Sequence, residues 1–374
     1  MIYGRRFYFS LFWLLLTALV AIGPGRDSHA QDPSQQQKNR PRQITKPSPT
    51  PEEDITLRSD EVIRVDTALT NILFTAADKQ NRFMSNIKRE DIRVLEDGVP
   101  QEIFAFQPNV DLPLSLAILI DTSASEEFTL PEEKAAARSF LESVLRANKD
   151  EAAIVSFTGE VTLEQGLTGN VERLRHAIDR VTFVPPSGYI GGGMTVPGTP
   201  PISGTQQTLA GGTAIWDAIY ATSKEVMSDS AEHTRRAIIL VTDGEDTVSQ
   251  VKMADAVDRA LKADALIYAI GIGDRYHYNI NSGALKKITE RTGGRAYFPR
   301  NEGDLREAFD QIQRELREQY LVAYAPSNKA RDGSYRRITI ELTSADLRRE
   351  NPRLTYRPGY FAKGSGAQPA STKP

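Results

Sequence analysis

From residue 113 to residue 318, the hydrophobic pattern alternates between strand and helix spacing. The run Leu114–Ile120 is almost entirely apolar and predicts a buried strand, and three shorter runs predict strands at 152–157, 237–242 and 266–271. The segments between them have helical spacing, with the first buried stripe at Ala137, Phe140, Leu141, Val144 and Leu145 and the last at Leu305, Phe309, Ile312 and Leu316. This alternation predicts an α/β fold with a doubly wound, mostly parallel sheet and helices on both faces.

The segments on either side of this region have the pattern of short antiparallel strands. Before it, apolar and polar residues alternate over 63–69, and strands at 92–95 and 103–106 flank the turn Asp97-Gly98. After it, strands are predicted at 320–324, 337–342 and 354–356. Because three or four strands cannot bury a core alone, we expect 54–112 and 319–362 to pair into one small antiparallel β-sandwich, into which domain 113–318 is inserted.

Both ends of the chain have the composition of unfolded or targeting segments. Arg5-Arg6 precede the apolar run 7–22, and Ser28-His29-Ala30 offers small residues for cleavage, so residues 1–30 are predicted to be a signal peptide. An uncleaved anchor is the alternative. Residues 31–53 predict a disordered linker and 363–374 a disordered tail. The expected location is therefore exported: periplasmic, cell-surface or secreted, with no membrane contact beyond the N-terminal segment.

Composition narrows the classes of function. The 374 residues have a formal net charge of −3, and the basic residues are spread along the chain, so no nucleic-acid partner is expected. Since the chain contains no cysteine, it cannot use disulfides and must be stabilised by core packing. Nucleophile, zinc-protease and phosphate-loop motifs are also absent from the sequence, so the protein is not expected to be an enzyme.

Polar side chains with oxygen atoms follow two of the predicted strands and open one predicted helix. Asp121, Ser123 and Ser125 come directly after the strand 114–120, Asp243 follows the strand 237–242, and Gly211-Gly212-Thr213 precedes a helix. In open parallel sheets, ligands bind beyond the carboxyl ends of the strands. Hard cations such as Mg²⁺ prefer such oxygen ligands. Ser123 and Ser125 have a simpler alternative role, which is to cap a helix.

In this order the five residues form the pattern D-x-S-x-S, then T, then D. The pattern resembles the metal-ion-dependent adhesion site (MIDAS) of von Willebrand factor A domains, a Rossmann-like fold, over about residues 113–318. The flanking segments resemble those of exported bacterial VWFA-related domain proteins. The similar motifs lie at Glu96–Phe106, Tyr320–Pro326, Asp332–Ile338 and Arg357–Tyr360.

The resemblance implies a role for each metal-site residue. The hydroxyls of Ser123, Ser125 and Thr213 would bind Mg²⁺, or Mn²⁺ or Ca²⁺, directly, and Asp121 and Asp243 would act largely through bound waters. One coordination position would stay open for an Asp or Glu carboxylate of a partner protein. The implied function is metal-dependent protein binding or adhesion. The alternatives are an envelope scaffold with a structural metal site and, third, metal-assisted hydrolysis.

A few further residues yield local predictions. Thr129 and Glu132 predict a capping box at the start of the first helix. Glu133, Asp150 and Glu151 are interpreted as solvated surface charges. The segment 181–216 contains no charged residue, and it is either an adaptable contact loop beside the metal or an insertion without a role.

Overall fold

The computed structural model describes residues 69–108, 110–146, 148–185, 189–191, 194–195, 212–230, 234–272 and 280–362. The predicted signal peptide, linker and tail, and most of the 181–216 segment, lie outside the described residues. In chain order, the elements are β1 Thr70–Ala77, β2 Ile92–Glu96, β3 Val99–Gln101, β4 Ile103–Gln107, β5 Leu114–Asp121, α1 Leu130–Val144, β6 Glu151–Phe157, β7 Val161–Thr168, α2 Val171–Arg180, β8 Tyr189–Gly191, β9 Met194–Thr195, α3 Ile215–Ala221, β10 Arg235–Thr242, α4 Met253–Lys262, β11 Ala265–Gly271, α5 Ser282–Thr292, β12 Ala296–Tyr297, α6 Glu302–Arg317, β13 Tyr320–Tyr324, β14 Tyr335–Leu342, α7 Ala345–Glu350, β15 Arg353–Tyr356 and β16 Gly359–Phe361.

The predicted doubly wound sheet is confirmed. Six strands follow the order β12-β11-β10-β5-β6-β7, and all neighbours are parallel except β6 and β7. All eight residues of β5 are buried, because apolar layers cover both faces of the sheet. One layer includes α1, α2 and α6, and the other includes α3, α4 and α5. β5 leads to β6 on one side while β10 leads to β11 on the other, so strand order reverses between β5 and β10. A doubly wound sheet binds its ligands at this point.

The predicted sandwich from the flanking segments is also present. Its two antiparallel sheets have the orders β15-β1-β13-β4 and β16-β14-β2-β3, so each combines strands from before and after the α/β domain. A shared core that includes Phe74, Val94, Val322 and Ile340 joins the two sheets. The strand predicted over 63–69 lies outside the described residues except for Leu69, which directly precedes β1, a strand that the sequence pattern did not predict.

A buried polar network connects the strands of the sandwich. The Glu96 carboxylate accepts hydrogen bonds from the hydroxyls of Tyr324 at 2.6 Å and Tyr360 at 2.8 Å, and from the Arg336 guanidinium at 3.2 Å. All four residues belong to the flanking motifs identified in the sequence. Each of these motifs therefore contributes one residue to the same buried polar network, although the segments lie far apart in the sequence.

A second network closes the opposite end of the α/β domain and corrects the interpretation of Asp150. Its side chain is buried, and it accepts hydrogen bonds from Arg146 at 2.9 Å, Arg317 at 2.6 Å and the Leu114 backbone at 2.9 Å. Burial disfavours the charged form, yet the bonds from Arg146 and Arg317 hold the pKa of Asp150 well below its usual range. Glu151 is half-buried and accepts a hydrogen bond from Ser115.

None of the described helices combines the length and the apolarity that a membrane span requires.

Candidate metal site

Asp121 ends β5, and its carboxylate is fixed on both oxygens. Oδ1 accepts a hydrogen bond from the Ser123 backbone N–H at 2.9 Å, and Oδ2 accepts one from the Thr242 hydroxyl at 2.5 Å. Thr242 is the last residue of β10, which pairs with β5 in parallel register. The Asp121 side chain is therefore held at the point where strand order reverses.

Ser123 and Ser125 lie on the turn that follows β5. Their hydroxyl oxygens are 3.0 Å apart, and both residues are buried. The helix-cap alternative is wrong, because Thr129 precedes α1 and Ser123 makes no capping hydrogen bond to the short turn Ala124–Glu126. The two hydroxyls instead lie together, and the Ser123 hydroxyl also hydrogen-bonds to the Asp121 carboxylate.

Asp243 directly follows β10 and contacts the serine turn. Its Oδ1 accepts a hydrogen bond from the Glu245 backbone at 2.9 Å, and the Ser125 hydroxyl also hydrogen-bonds to this carboxylate. Carboxylate oxygens of Asp121, Glu126 and Asp243 all lie within 4.8 Å of one another. The structure thus brings Asp121, Ser123, Ser125 and Asp243 together across two strands.

Thr213 lies at the same edge of the sheet, and the hydrogen bonds described for it are those of its backbone. Its N–H donates to the Thr247 hydroxyl at 2.8 Å, and its carbonyl accepts from the Thr247 N–H at 2.9 Å. The neighbouring Gly212 carbonyl accepts from the hydroxyl of Thr158, which follows β6. Buried Thr213 is therefore held between the loops that follow β6 and β10.

Sequence reasoning missed two buried carboxylates, Glu126 and Glu133. The predicted capping box is wrong, because the Thr129 hydroxyl donates to Glu126 Oε2 at 2.5 Å and accepts no hydrogen bond from the helix backbone. The prediction that Glu133 is a solvated charge is also wrong, since it is 2% exposed. Helical spacing could have revealed this, because Glu133 precedes the core residue Ala137 by one turn.

The electrostatics of this edge of the sheet are unusual. None of the ion pairs among the described residues involves Asp121, Glu126, Glu133 or Asp243. Burial raises the pKa of Asp121 to about 7 and that of Glu133 to about 7, and it also raises the pKa of Asp243. Burial, followed by the charges of Glu133 and Asp121, raises the pKa of Glu126 well above its usual range.

The residues present fit a divalent cation. Glu126 Oε1 and both oxygens of Glu133 are buried, and within the described part of the chain they have no hydrogen-bond partner. Leaving such atoms unsatisfied is costly, and a cation would offset both that cost and the repulsion between the carboxylates. Since every side-chain donor is an oxygen, the set suits Mg²⁺, Mn²⁺ or Ca²⁺.

Comparisons with known proteins agree with this geometry. Two models of the von Willebrand factor type A domain match the chain, one over residues 116–197 and the other over residues 202–311. The chain is a von Willebrand factor A domain protein. Asp121, Ser123 and Ser125 fall in the first matched region, and Thr213 and Asp243 fall in the second.

The chain also matches solved structures at low sequence identity, among them two bacterial proteins and one mussel protein. BatB of Bacteroides thetaiotaomicron is 16% identical, with a TM-score of 0.40 over 55% of this chain and 98% of its own. A von Willebrand factor type A protein from Catenulispora acidiphila is 13% identical, with a TM-score of 0.43 over 79% of this chain and 73% of its own. Proximal thread matrix protein 1 from the mussel byssus, solved with a zinc-occupied MIDAS motif, is 15% identical, with a TM-score of 0.41 over 55% and 48%. No curated protein matches the chain.

Membership of this family indicates which kind of function such a site commonly has. Von Willebrand factor A domains commonly act as metal-dependent protein-interaction modules rather than as enzymes. The buried acidic triad Asp121, Glu126 and Asp243 indicates a divalent metal site in this member.

Proposed function

We propose that this protein is an exported binding module that docks an acidic side chain of a partner protein on a divalent cation. Asp121, Ser123, Ser125, Thr213 and Asp243 would hold the ion. The observation that supports this most is the convergence of buried oxygen side chains from β5, β10 and the turn after β5, where strand order reverses. We expect Mg²⁺, Mn²⁺ or Ca²⁺ in this site.

The hydrogen bonds indicate how the ligands divide their roles. Both oxygens of Asp121 already accept hydrogen bonds, which favours an indirect role through water. The Ser123 and Ser125 hydroxyls are neutral and lie together, so they suit direct coordination. When bound, the cation supplies a positive centre for an external carboxylate, which forms a charge-assisted contact there.

Apolar side chains flank the site and support a protein partner. Phe128 is 64% exposed and lies three residues after Ser125. Val184 is 37% exposed, and its N–H donates to the Thr122 carbonyl at 3.3 Å, which places it against the same turn. Aromatic residues are enriched in protein interfaces relative to the rest of the surface. We therefore expect the partner to present an apolar side chain next to its Asp or Glu.

The experiment is a pull-down from the native envelope fraction with the wild-type protein and Ser123→Ala. Each is incubated with Mg²⁺ and again with EDTA, and Glu132→Ala, on the exposed side of α1, is the matched control. The proposal expects partners that bind the wild type and the control in Mg²⁺ and are lost with EDTA or Ser123→Ala. Unchanged capture in EDTA would overturn it.

A scaffold role is the second candidate, in which the sandwich makes the contacts and the metal only orders the loops. Phe104 is 71% exposed on β4, an edge strand, and Val99 is 52% exposed on β3, also an edge strand. If capture is lost with Phe104→Ala and kept with Ser123→Ala, the scaffold role is favoured over docking on the cation.

Export is supported by the sequence pattern of residues 1–30, which lie outside the described part of the chain. We expect the mature protein to begin at Gln31. N-terminal sequencing of the protein from an envelope fraction checks this, and a chain that retains Met1 there would indicate an uncleaved anchor.

A further inference from the structure

We infer that Glu126 is an additional ligand of the bound cation, an internal carboxylate that competes with the partner's acid for the ion. The inference rests on the proposed function and extends it, because it adds a residue outside the D-x-S-x-S, T, D pattern. It makes docking an exchange of one carboxylate for another instead of the filling of an open position.

The position of Glu126 supports direct ligation. Its side chain is fully buried, and its carboxylate lies within 4.8 Å of those of both Asp121 and Asp243. Oxygens bound to one cation at about 2.1 to 2.4 Å lie at most about 4.2 to 4.8 Å apart. The three carboxylates are thus close enough to share a single ion.

The two oxygens of Glu126 have different surroundings. Oε2 accepts the Thr129 hydroxyl, which fixes the side chain, whereas Oε1 is buried and has no partner within the described part of the chain. A buried, oriented and unpartnered carboxylate oxygen next to two other carboxylates is suited to a cation. Among the described residues, no lysine or arginine forms an ion pair with Glu126 in place of the metal.

Glu133 adds charge behind this ligand. It is buried on α1, and neither of its oxygens has a hydrogen-bond partner among the described residues. Its carboxyl group contacts that of Glu126, and two adjacent buried negative charges disfavour a structure in which neither is neutralised by a cation. The negative charge of Glu133 therefore favours a cation near Glu126, and we assign Glu133 a supporting role rather than direct ligation.

Ligation by Glu126 would have opposite effects on the affinity for the cation and on the affinity for an external carboxylate. An anionic ligand strengthens cation binding, because affinity rises with the charge of the ligand set. The same ligand partly neutralises the ion and occupies a position on it, so an outside carboxylate binds more weakly. Removal of Glu126 should weaken the hold on the cation and strengthen the binding of an external acid.

The test uses Mn²⁺ as the cation and acetate as the external acid. Wild type, Glu126→Gln, Glu126→Ala, Ser123→Ala and the control Glu132→Gln are titrated with Mn²⁺ by calorimetry. Acetate binding is then followed at saturating Mn²⁺ by water-proton relaxation. We expect Glu126→Gln to raise the Mn²⁺ Kd about 10- to 100-fold, and to bind acetate more tightly than the wild type. Glu126→Ala should gain an exchangeable water on Mn²⁺, and Glu132→Gln should match the wild type.

The outcomes separate the inference from the proposed function. If the wild type binds Mn²⁺, Ser123→Ala loses it and Glu126→Gln keeps the wild-type Kd, the inference is wrong and the metal site stands. If the wild type binds no Mn²⁺, both fail. Thermal unfolding without metal checks that the variants fold, and an unfolded Glu126→Gln is replaced by Glu126→Asp, whose shorter side chain should also weaken Mn²⁺ binding.

Discussion

The Thr242 hydroxyl donates a hydrogen bond to Asp121 Oδ2 at 2.5 Å, across 121 residues of sequence. The bond joins the ends of β10 and β5 and orients a carboxylate that is otherwise held by the Ser123 backbone. Loss of a residue that orients a metal ligand typically lowers metal affinity about 10- to 100-fold. We therefore expect Thr242 to support the metal site through Asp121, although it falls outside the D-x-S-x-S, T, D pattern.

Replacing Thr242 by valine tests this relationship. Because the shape is kept and only the hydroxyl is lost, Thr242→Val should fold normally and raise the Kd for Mn²⁺ about 10-fold or more. Calorimetric titration gives the Kd, and circular dichroism checks the fold. Thr162→Val, on the exposed surface of β7, should bind Mn²⁺ like the wild type. Equal affinity of the two variants would show that Thr242 does not support the site.

The metal-free protein should lose stability as pH rises. Asp121 and Glu133 have folded pKa values of about 7, above the values of about 4 expected for the unfolded chain. Between these values the folded state binds more protons than the unfolded state, so the free energy of unfolding falls as pH increases. In EDTA, the melting temperature should be lower at pH 8 than at pH 5.5.

Saturating Mg²⁺ should reduce this pH effect, because the cation favours the charged carboxylates and binds only the folded state. The measurement is thermal unfolding at both pH values with EDTA and with Mg²⁺. Asp150 does not interfere in this window, since its lowered pKa makes its contribution fall only below about pH 4. Identical pH dependence with and without Mg²⁺ would contradict a cation bound beside Asp121 and Glu133.

Glu96→Ala should strongly destabilise the sandwich. Removal of the carboxylate leaves the buried Arg336 guanidinium without its charged partner and leaves the Tyr324 and Tyr360 hydroxyls without an acceptor. The expected loss in the free energy of unfolding is about 3 to 5 kcal/mol. Urea unfolding measures it, with Glu102→Ala on the exposed surface as control. A loss below about 1 kcal/mol, typical of an exposed ion pair, would contradict a buried network.

Gly293→Ala and Gly283→Ala should have opposite effects on stability, although both lie at α5. Gly293 has a φ of +86°, and a Cβ there would lie 2.4 Å from the Arg357 backbone nitrogen, in the segment that follows β15. The alanine should cost about 1 to 2 kcal/mol for the backbone conformation, and more for the displaced chain. A Cβ at Gly283 would come no closer than 3.7 Å to Asn281, so helix propensity should stabilise that variant by up to about 1 kcal/mol. Urea unfolding of both variants checks the signs, and a neutral Gly293→Ala would show that α5 and the sandwich are not in close contact.

Local sequence patterns were sufficient for the fold class. Strand β5 is recognisable because an unbroken apolar run with residues on both faces buried needs no knowledge of its neighbours. The turn signal at Asp97-Gly98 likewise predicts a hairpin, and the structure shows positive φ at both residues. The second strand of that hairpin was predicted wrongly, because β2 pairs with β3, whereas the predicted strand 103–106 belongs to β4 in the other sheet. The order of Asp121, Ser123, Ser125, Thr213 and Asp243 identified a candidate site because the carboxyl ends of parallel strands share one edge of a sheet.

The surroundings of charged residues could not be inferred in the same way. Glu126 and Asp150 look like ordinary surface charges in the sequence, since each lies in a polar segment next to another acidic residue, and only Glu133 has a helical spacing that signals burial. Whether such a side chain is buried depends on the elements that pack over it, and those come from residues far away in the chain. The sequence by itself therefore determined the sheet and its helices, because these follow from hydrophobic periodicity, and it supplied the five-residue metal pattern through its resemblance to von Willebrand factor A domains. Only the tertiary structure decided that Glu126 lies beside Asp121 and Asp243, that Thr242 orients Asp121 and that Glu96 meets Arg336, because each of these contacts depends on how the strands and turns are brought together in three dimensions.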